Sequence, residues 1–542
     1  MSADVAQFVD DLIKSFGLVA YALTAGGIAW GIAVLKPWPS ATPGLAAAAR
    51  LCVRLIVVGA AVLSVCHLLQ IAAKAQFIVA GFQTSPFPGL LLTPVFQANA
   101  VRALLAAALA GTGLALLMRP SSQARWFVAA ALVLLLAATS AWLTHGASRL
   151  DQRVMLMATT AVHQLAAVAW AGGVVHIVAL WRLSKHDASV AVLWPEMFAR
   201  FSGLGAGALT VLLLTGVPLT VIYVDSLSGL TGTGYGSVLV AKWVLMATAL
   251  GLAAANFRAA RRSRRLASAG AAASPPTPFF AEVESIVLVV VLFVAAALAA
   301  LPPATDITDQ RATFAEVVQS FAPKMPRLTS PTLAEEQAAS AEPTVIAREH
   351  ASAEEKWSDY NHNISGLILL AIGLVALLER TGRASWARHW PLGFIALAAF
   401  VLLRSDPSGW PLAPDVGFLE SFRKPSWIQH KIAGFLPIAL GIMEWRARAA
   451  GARPWLPFVF PVLCLVGGLL LLTHSHGAFE PKAEYLTQVS HTAMGTLAVL
   501  MGCGRWLELR LATPAGRLAG LGSIVAMTLI ALILVFYREP LG

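Results

Sequence analysis

The sequence is poor in charge. Lys, Arg, Asp and Glu together make up 12% of its 542 residues, where a soluble domain carries about 25%. That shortage excludes a soluble cytosolic enzyme, a disordered chain and an ordinary nucleic-acid-binding domain, so no nucleic-acid partner is expected. Cysteine is scarce as well. Cys52, Cys66, Cys464 and Cys503 are widely spaced, with no CxxC pair and no secreted-type disulfide framework. Neither GxxxxGK[ST] nor a DKTGT-type phosphorylation loop occurs, which argues against ATP-driven pumping. Residues 1–12 are polar and acidic and lead into a stretch long enough to span, so no cleavable leader is expected.

Apolar sequence is abundant: 58% of residues are hydrophobic and the mean hydropathy is +0.72. A bilayer core takes about 20 apolar residues in helical form. Fourteen such stretches are legible. Eight lie near 13–35, 50–73, 97–118, 124–145, 155–182, 200–224, 237–258 and 282–302. Six more lie near 362–379, 389–404, 427–445, 456–473, 485–506 and 518–536. The expected fold is an all-α polytopic transmembrane bundle in two units of eight and six helices, residues 1–304 and 359–542. An acidic, Pro- and Ala-rich external linker, 305–358, joins them. Segment 76–96, broken by Pro86, Pro88 and Pro94, suits a re-entrant or interfacial piece.

The net charge is +11. Of the 39 basic residues, 22 fall in or beside seven loops on one side of this threading, with the densest run at Arg258, Arg261, Arg262, Arg264 and Arg265. Basic residues collect on the cytoplasmic side. Both termini and the acidic linker are therefore expected outside, in the bacterial inner membrane.

This topology places nine of the twelve histidines at the outer face: His67, His145, His163, His350, His362, His430, His474, His476 and His491. Imidazoles at the ends of neighbouring helices suit metal ligation. They also suit an interface where water satisfies them, and each residue taken singly is open to that reading. Thr473-His474-Ser475-His476-Gly477 puts two imidazoles on one side of an extended segment. His491 follows at a helix start, with Met494 on the same face. Imidazole with thioether favours copper, Cu(I) above all; Met494 is equally open as core filler. His145 and His163 repeat the arrangement in the first unit, with a separation of 18 against 17 for His474 and His491. Each group is expected to converge on an outer site, the first with His67 or Cys66, the second with His362 and His430 and with Asp359 or Glu480 as outer partners. His176 lies deeper, as a further stop on a metal path or a residue that locks helices. Arg102 and Lys242 are expected to snorkel, and Glu284 to sit at a helix end where a charge is cheap.

Several stretches of the first unit resemble the copper resistance D (CopD) family: Thr144-His145-Gly146-Ala147, VHQLAAVAWAGGVVHIVAL (162–180), RFSGLGAGALTVLLLTG (200–216), TGTGYGSVLVAKWVLM (231–246) and VESIVLVVVLFVAAALAALPPA (283–304). Together they cover roughly 50–304. The resemblance implies copper uptake or copper tolerance across the bacterial inner membrane, often beside a periplasmic copper-binding protein, with His145 and His163 most important. Two other classes stay open. One is a b-type cytochrome with a single outer haem, for example between His430 and His491. The other is a metal-binding scaffold or sensor that transports nothing.

Overall fold

The computed structural model describes residues 3–36, 42–82, 89–268, 278–341, 347–413, 415–422, 425–449, 451–473 and 481–539. Among them every regular element is a helix. The protein is an all-α, multi-pass membrane protein. Eleven helices are long and apolar enough to cross a bilayer, and Leu456–Leu472 is a shorter apolar one. All fourteen expected stretches fall on helices. Those that fall short of spanning length or hydropathy are Leu456–Leu472 and two long helices, Pro425–Ala447 and Pro481–Arg510, which carry too many polar side chains.

The chain divides into two compact units, Met1–Asp225 with Leu245–Pro303, and Ser226–Val244 with Ala304–Gly542. Residues 305–358 group with the second unit and include the helix Phe314–Phe321, which opens with a capping box from Thr313 and Glu316.

In the first unit, α1 runs from Ala3–Tyr21 through two π-helical turns, Ala22–Gly26 and Gly31–Leu35. It is followed by α2 (Leu45–Phe82), α3 (Pro94–Met118), α4 (Gln123–Ser140), α5 (Arg153–Ser184), α6 (Ala188–Val224), α7 (Gly234–Ser268), which belongs to this unit from Leu245 on, and α8 (Phe279–Leu298). Within the apolar segment 76–96, residues 76–82 continue α2 as helix, 83–88 lie outside the described residues, and a 3-10 turn, Gly89–Leu92, leads into the next helix at Pro94. Small residues set the closest crossing. A Cβ on Gly172 of α5 would collide with the Ala22 carbonyl of α1, and one on Gly26 with the Val168 carbonyl. This is the small-residue packing that membrane helices rely on, where van der Waals contact replaces the hydrophobic drive.

Large apolar side chains stay uncovered along single helix faces. Leu213, Leu214, Val217 and Val221 on α6 are each more than half exposed, at the spacing of one helical face. In water such a stripe is a liability; against lipid it is the expected exterior.

The second unit contains α9 (Ala347–Arg380), α10 (Gly393–Arg404), α11 (Pro425–Ala447), α12 (Val459–Leu472), α13 (Pro481–Arg510) and α14 (Ala515–Phe536). Its core packs Leu369, Ile372, Phe394, Phe460, Met501 and Ile530 together. At one end of these helices lies a chain of ion pairs. Arg448 bridges Glu379 and Glu444, Arg505 bridges Glu444 and Glu508, and Arg380 meets Glu508. These three arginines thus fasten α9, α11 and α13 to one another.

Candidate metal sites

In the first unit, His163 leaves α5 toward α6. Its Nδ1 lies 2.8 Å from Thr215 Oγ1, and the Thr215 hydroxyl hydrogen is already donated to the Val211 carbonyl at 2.7 Å. Thr215 therefore accepts, His163 Nδ1 carries the proton, and Nε2 is the basic nitrogen. That is the tautomer a metal-ligating imidazole needs. Gly216 makes the room, since a Cβ there would stand 3.1 Å from the ring. His145 opens a single helical turn, His145–Ser148, and its ring lies 6.0 Å from that of Tyr223. Tyr223 and Thr215 are two turns apart on α6, about 12 Å along its axis. His145 and His163 thus rest on different turns of the same neighbour.

His67 is used otherwise. Nδ1 donates to Asn99 Oδ1 at 2.8 Å and faces Gln70 Oε1 at 3.0 Å, while Nε2 accepts from Arg102 Nε at 3.0 Å. Both nitrogens are engaged within the protein, which leaves none for a metal. Arg102 does not snorkel. It is 5% exposed and also donates from Nη1 to the Leu136 carbonyl. Cys66 is buried.

Glu284 corrects another expectation. It is 4% exposed, accepting from Trp170 Nε1 at 3.0 Å on Oε1 and from Asn256 Nδ2 at 3.3 Å on Oε2. A carboxyl enclosed between α5, α7 and α8 is costly in a membrane protein and makes Glu284 a candidate functional residue. Sequence reading missed this because the residue's nearness to a helix end says nothing of which way it faces.

In the second unit, His362 of α9 and His491 of α13 come together, with ring centroids 5.8 Å apart. Tyr537, just past α14, stacks on His362 at 4.0 Å and stands edge-on to His491 at 6.2 Å. His362 Nδ1 donates to the Ser358 carbonyl at 2.8 Å and His491 Nδ1 to the Thr487 carbonyl at 3.0 Å. A carbonyl only accepts, so in both rings Nε2 is the basic nitrogen. Glu539 ties the surroundings together, accepting from Ser358 Oγ, Tyr537 Oη and Thr487 Oγ1. Burial first, and then this carboxylate, push the Tyr537 phenol well above its usual range, so it remains a neutral donor.

His430, near enough for its charge to act on His362, has Nδ1 donating to Asp406 Oδ1 at 2.9 Å. Lys431 reaches the other oxygen of Asp406 at 2.8 Å. A carboxylate behind an imidazole is the usual orienting partner of a metal-ligating histidine. Asp359 is spent on Arg327, Arg538 and the Glu539 amide. Met494 packs inside the apolar core and is 2% exposed, which is the core-filling alternative for that residue. His474, His476 and Glu480 lie outside the described residues, and so does the side chain of His350. Among the described residues, no group of three or more His, Cys, Asp or Glu side chains is placed to hold a metal ion. Tyr537, Glu539 and Asp406 carried no sequence signal, since none belongs to a spaced motif.

Residues 195–298 match the family model described as Copper resistance protein D (CopD). The likeness to that family is confined to this segment. The matched segment takes in most of α6, all of α7 and α8, and with them Thr215, Gly216, Asn256 and Glu284. No curated protein and no solved structure matches the chain.

Proposed function

We propose that this protein binds copper and carries it across the bacterial inner membrane, in uptake or in tolerance, with histidines of the periplasmic side as its receiving sites. One observation carries the reading: His163 is held by Thr215 and Gly216 of the matched segment as an imidazole whose Nε2 is the basic nitrogen. Copper is the cargo. In either oxidation state, Cu(I) or Cu(II), it accepts imidazole nitrogen. His145, His362 and His491 supply further nitrogen donors on that side, His430 is backed by Asp406, and His474 and His476 belong to the same outer set. Both termini face the periplasm in this reading, where a copper-binding protein is the natural donor or acceptor.

The test is copper content and copper-dependent growth in cells carrying the wild type or His163→Ala. The variant inserts normally, loses the copper-dependent phenotype and holds less copper per purified chain. Wild-type copper content and phenotype in His163→Ala overturn the reading. An absorbance scan of the same sample settles the haem alternative, because a Soret band with a reduced α-band identifies a cytochrome instead. Copper uptake into sealed vesicles separates a permease from a scaffold.

A further inference from the structure

We propose that Cys52 and His176 form an interior site for one soft monovalent metal ion, Cu(I), within the first unit. The proposal rests on the copper reading above and extends it to a place distinct from the outer histidines. His176 lies 13 residues beyond His163 on α5, about 20 Å along the helix.

Three features meet here. First, the two π-helical turns of α1 bracket Gly27–Trp30. Such turns insert a residue, re-aim the backbone and recur at functional sites. Second, both donors pack on that bracketed turn. Cys52 Sγ donates to the Gly27 carbonyl at 3.4 Å, and a Cβ on Gly27 would stand 2.6 Å from His176 Nε2. Glycine at 27 is what lets the imidazole in. Third, His176 Nδ1 donates to the Gly172 carbonyl at 2.8 Å, which makes Nε2 the basic nitrogen. His176 is 2% exposed, and its Nε2 makes no well-formed hydrogen bond, with the Cys52 backbone beside the ring. A buried imidazole nitrogen without a well-formed partner calls for an explanation.

Cys52 and His176 line one small pocket with Trp30, Ala48, Leu51, Leu55 and Leu180, too tight to admit a water molecule. Organic ligands and cofactors take about 300–1,000 Å³, so the occupant that suits this place is a bare ion. The donors are one sulfur and one imidazole nitrogen in an apolar wall, a set that selects a soft ion. Charge narrows the choice further. The Cys52 thiol gives up its proton to water as the S–Cu bond forms. Cu(I), thiolate and neutral imidazole then sum to zero, so a bound Cu(I) leaves no net charge in the low-dielectric interior. A divalent ion leaves a net positive charge, and zinc asks for four ligands.

The experiment is an anaerobic Cu(I) titration of the full chain in detergent, against a chromogenic Cu(I) chelator, following the near-ultraviolet thiolate-to-copper band. The band is expected to saturate at one equivalent. Cys52→Ser and His176→Gln each abolish it, and Gly27→Ala, which sets a methyl against Nε2, weakens binding by about tenfold or more. Cys66→Ala, Cys464→Ala and Cys503→Ala keep the band. His163→Ala keeps it too, so the outer site and the interior site fail independently. Thermal unfolding of the unloaded variants checks that they fold, and Cys52→Ala replaces the serine variant if the hydroxyl is not tolerated. A wild type without the band, a full band in the Cys52 variants, or Zn(II) bound at these two residues in place of Cu(I), overturns the proposal.

Discussion

Arg102 donates its Nε hydrogen to His67 Nε2 over 3.0 Å, and both side chains are buried between α2 and α3. The contact turns a histidine that looks like a ligand into the acceptor for a guanidinium within the membrane-spanning part of the chain. It also fixes the tautomer, since Nδ1 must carry the proton that goes to Asn99.

His67→Ala is therefore expected to cost stability and leave metal binding alone. Arg102 loses an acceptor it cannot replace from lipid, at about 1.5–3 kcal/mol for a hydrogen bond to a charged group. Thermal unfolding in detergent should show a clear drop, with copper per chain unchanged. A fall in copper content would return His67 to the ligands.

His362 and His491 are expected to act together. If the pair holds copper, His362→Ala and His491→Ala remove the same equivalent, and the double variant removes no more than either alone. Tyr537→Phe, which keeps the stacked ring and drops the hydroxyl, retains that copper. Independent, additive losses in the two single variants would show that the rings serve separate sites.

Glu444 is enclosed and holds two guanidinium groups, from Arg448 at 2.9 Å and Arg505 at 2.8 Å. Glu444→Ala leaves both arginines facing an empty place in a crowded ion network, and removing one partner of a buried pair costs about 3–5 kcal/mol. Loss of yield and of thermal stability should exceed that of Arg383→Ala, whose side chain is exposed. Equal stability of the two variants would mean that solvent, not the network, satisfies these groups.

The Asp406 carboxyl gives a pH-dependent expectation. Burial pushes it up, but the hydrogen bonds and charges of His430 and Lys431 outweigh burial and hold it below its usual value of 3.8. A carboxyl depressed on folding contributes in full above its unfolded pKa, and the contribution fades as pH falls through the lower folded value. The wild type should thus lose stability below about pH 4. Asp406→Asn, which strands the buried Lys431 ammonium, should be destabilised already at neutral pH and show a flatter acid limb. An unchanged acid limb would assign the acid sensitivity to other carboxyls.

The sequence by itself determined the class of protein and where its helices run. Hydrophobicity is a local property summed along the chain, and a bilayer reads the same sum, so every apolar stretch from 13–35 to 518–536 reappears as helix. The closeness of α1 and α5 rests on Gly172, which offers no side chain to keep a neighbour away. What the sequence could not supply was direction around each helix and the choice of partner. Glu284 and Arg102 look peripheral by position yet face inward, since enclosed Trp170, Asn256 and His67 offer them hydrogen bonds that lipid cannot. His362 and His491 share a membrane depth by topology, but they meet only because α9 and α13 turn those faces toward Tyr537. His430 turns its Nδ1 to Asp406, a partner that no spacing in the sequence announces. Depth follows from one dimension of the chain; sideways convergence depends on which faces pack, and only the tertiary structure decides that.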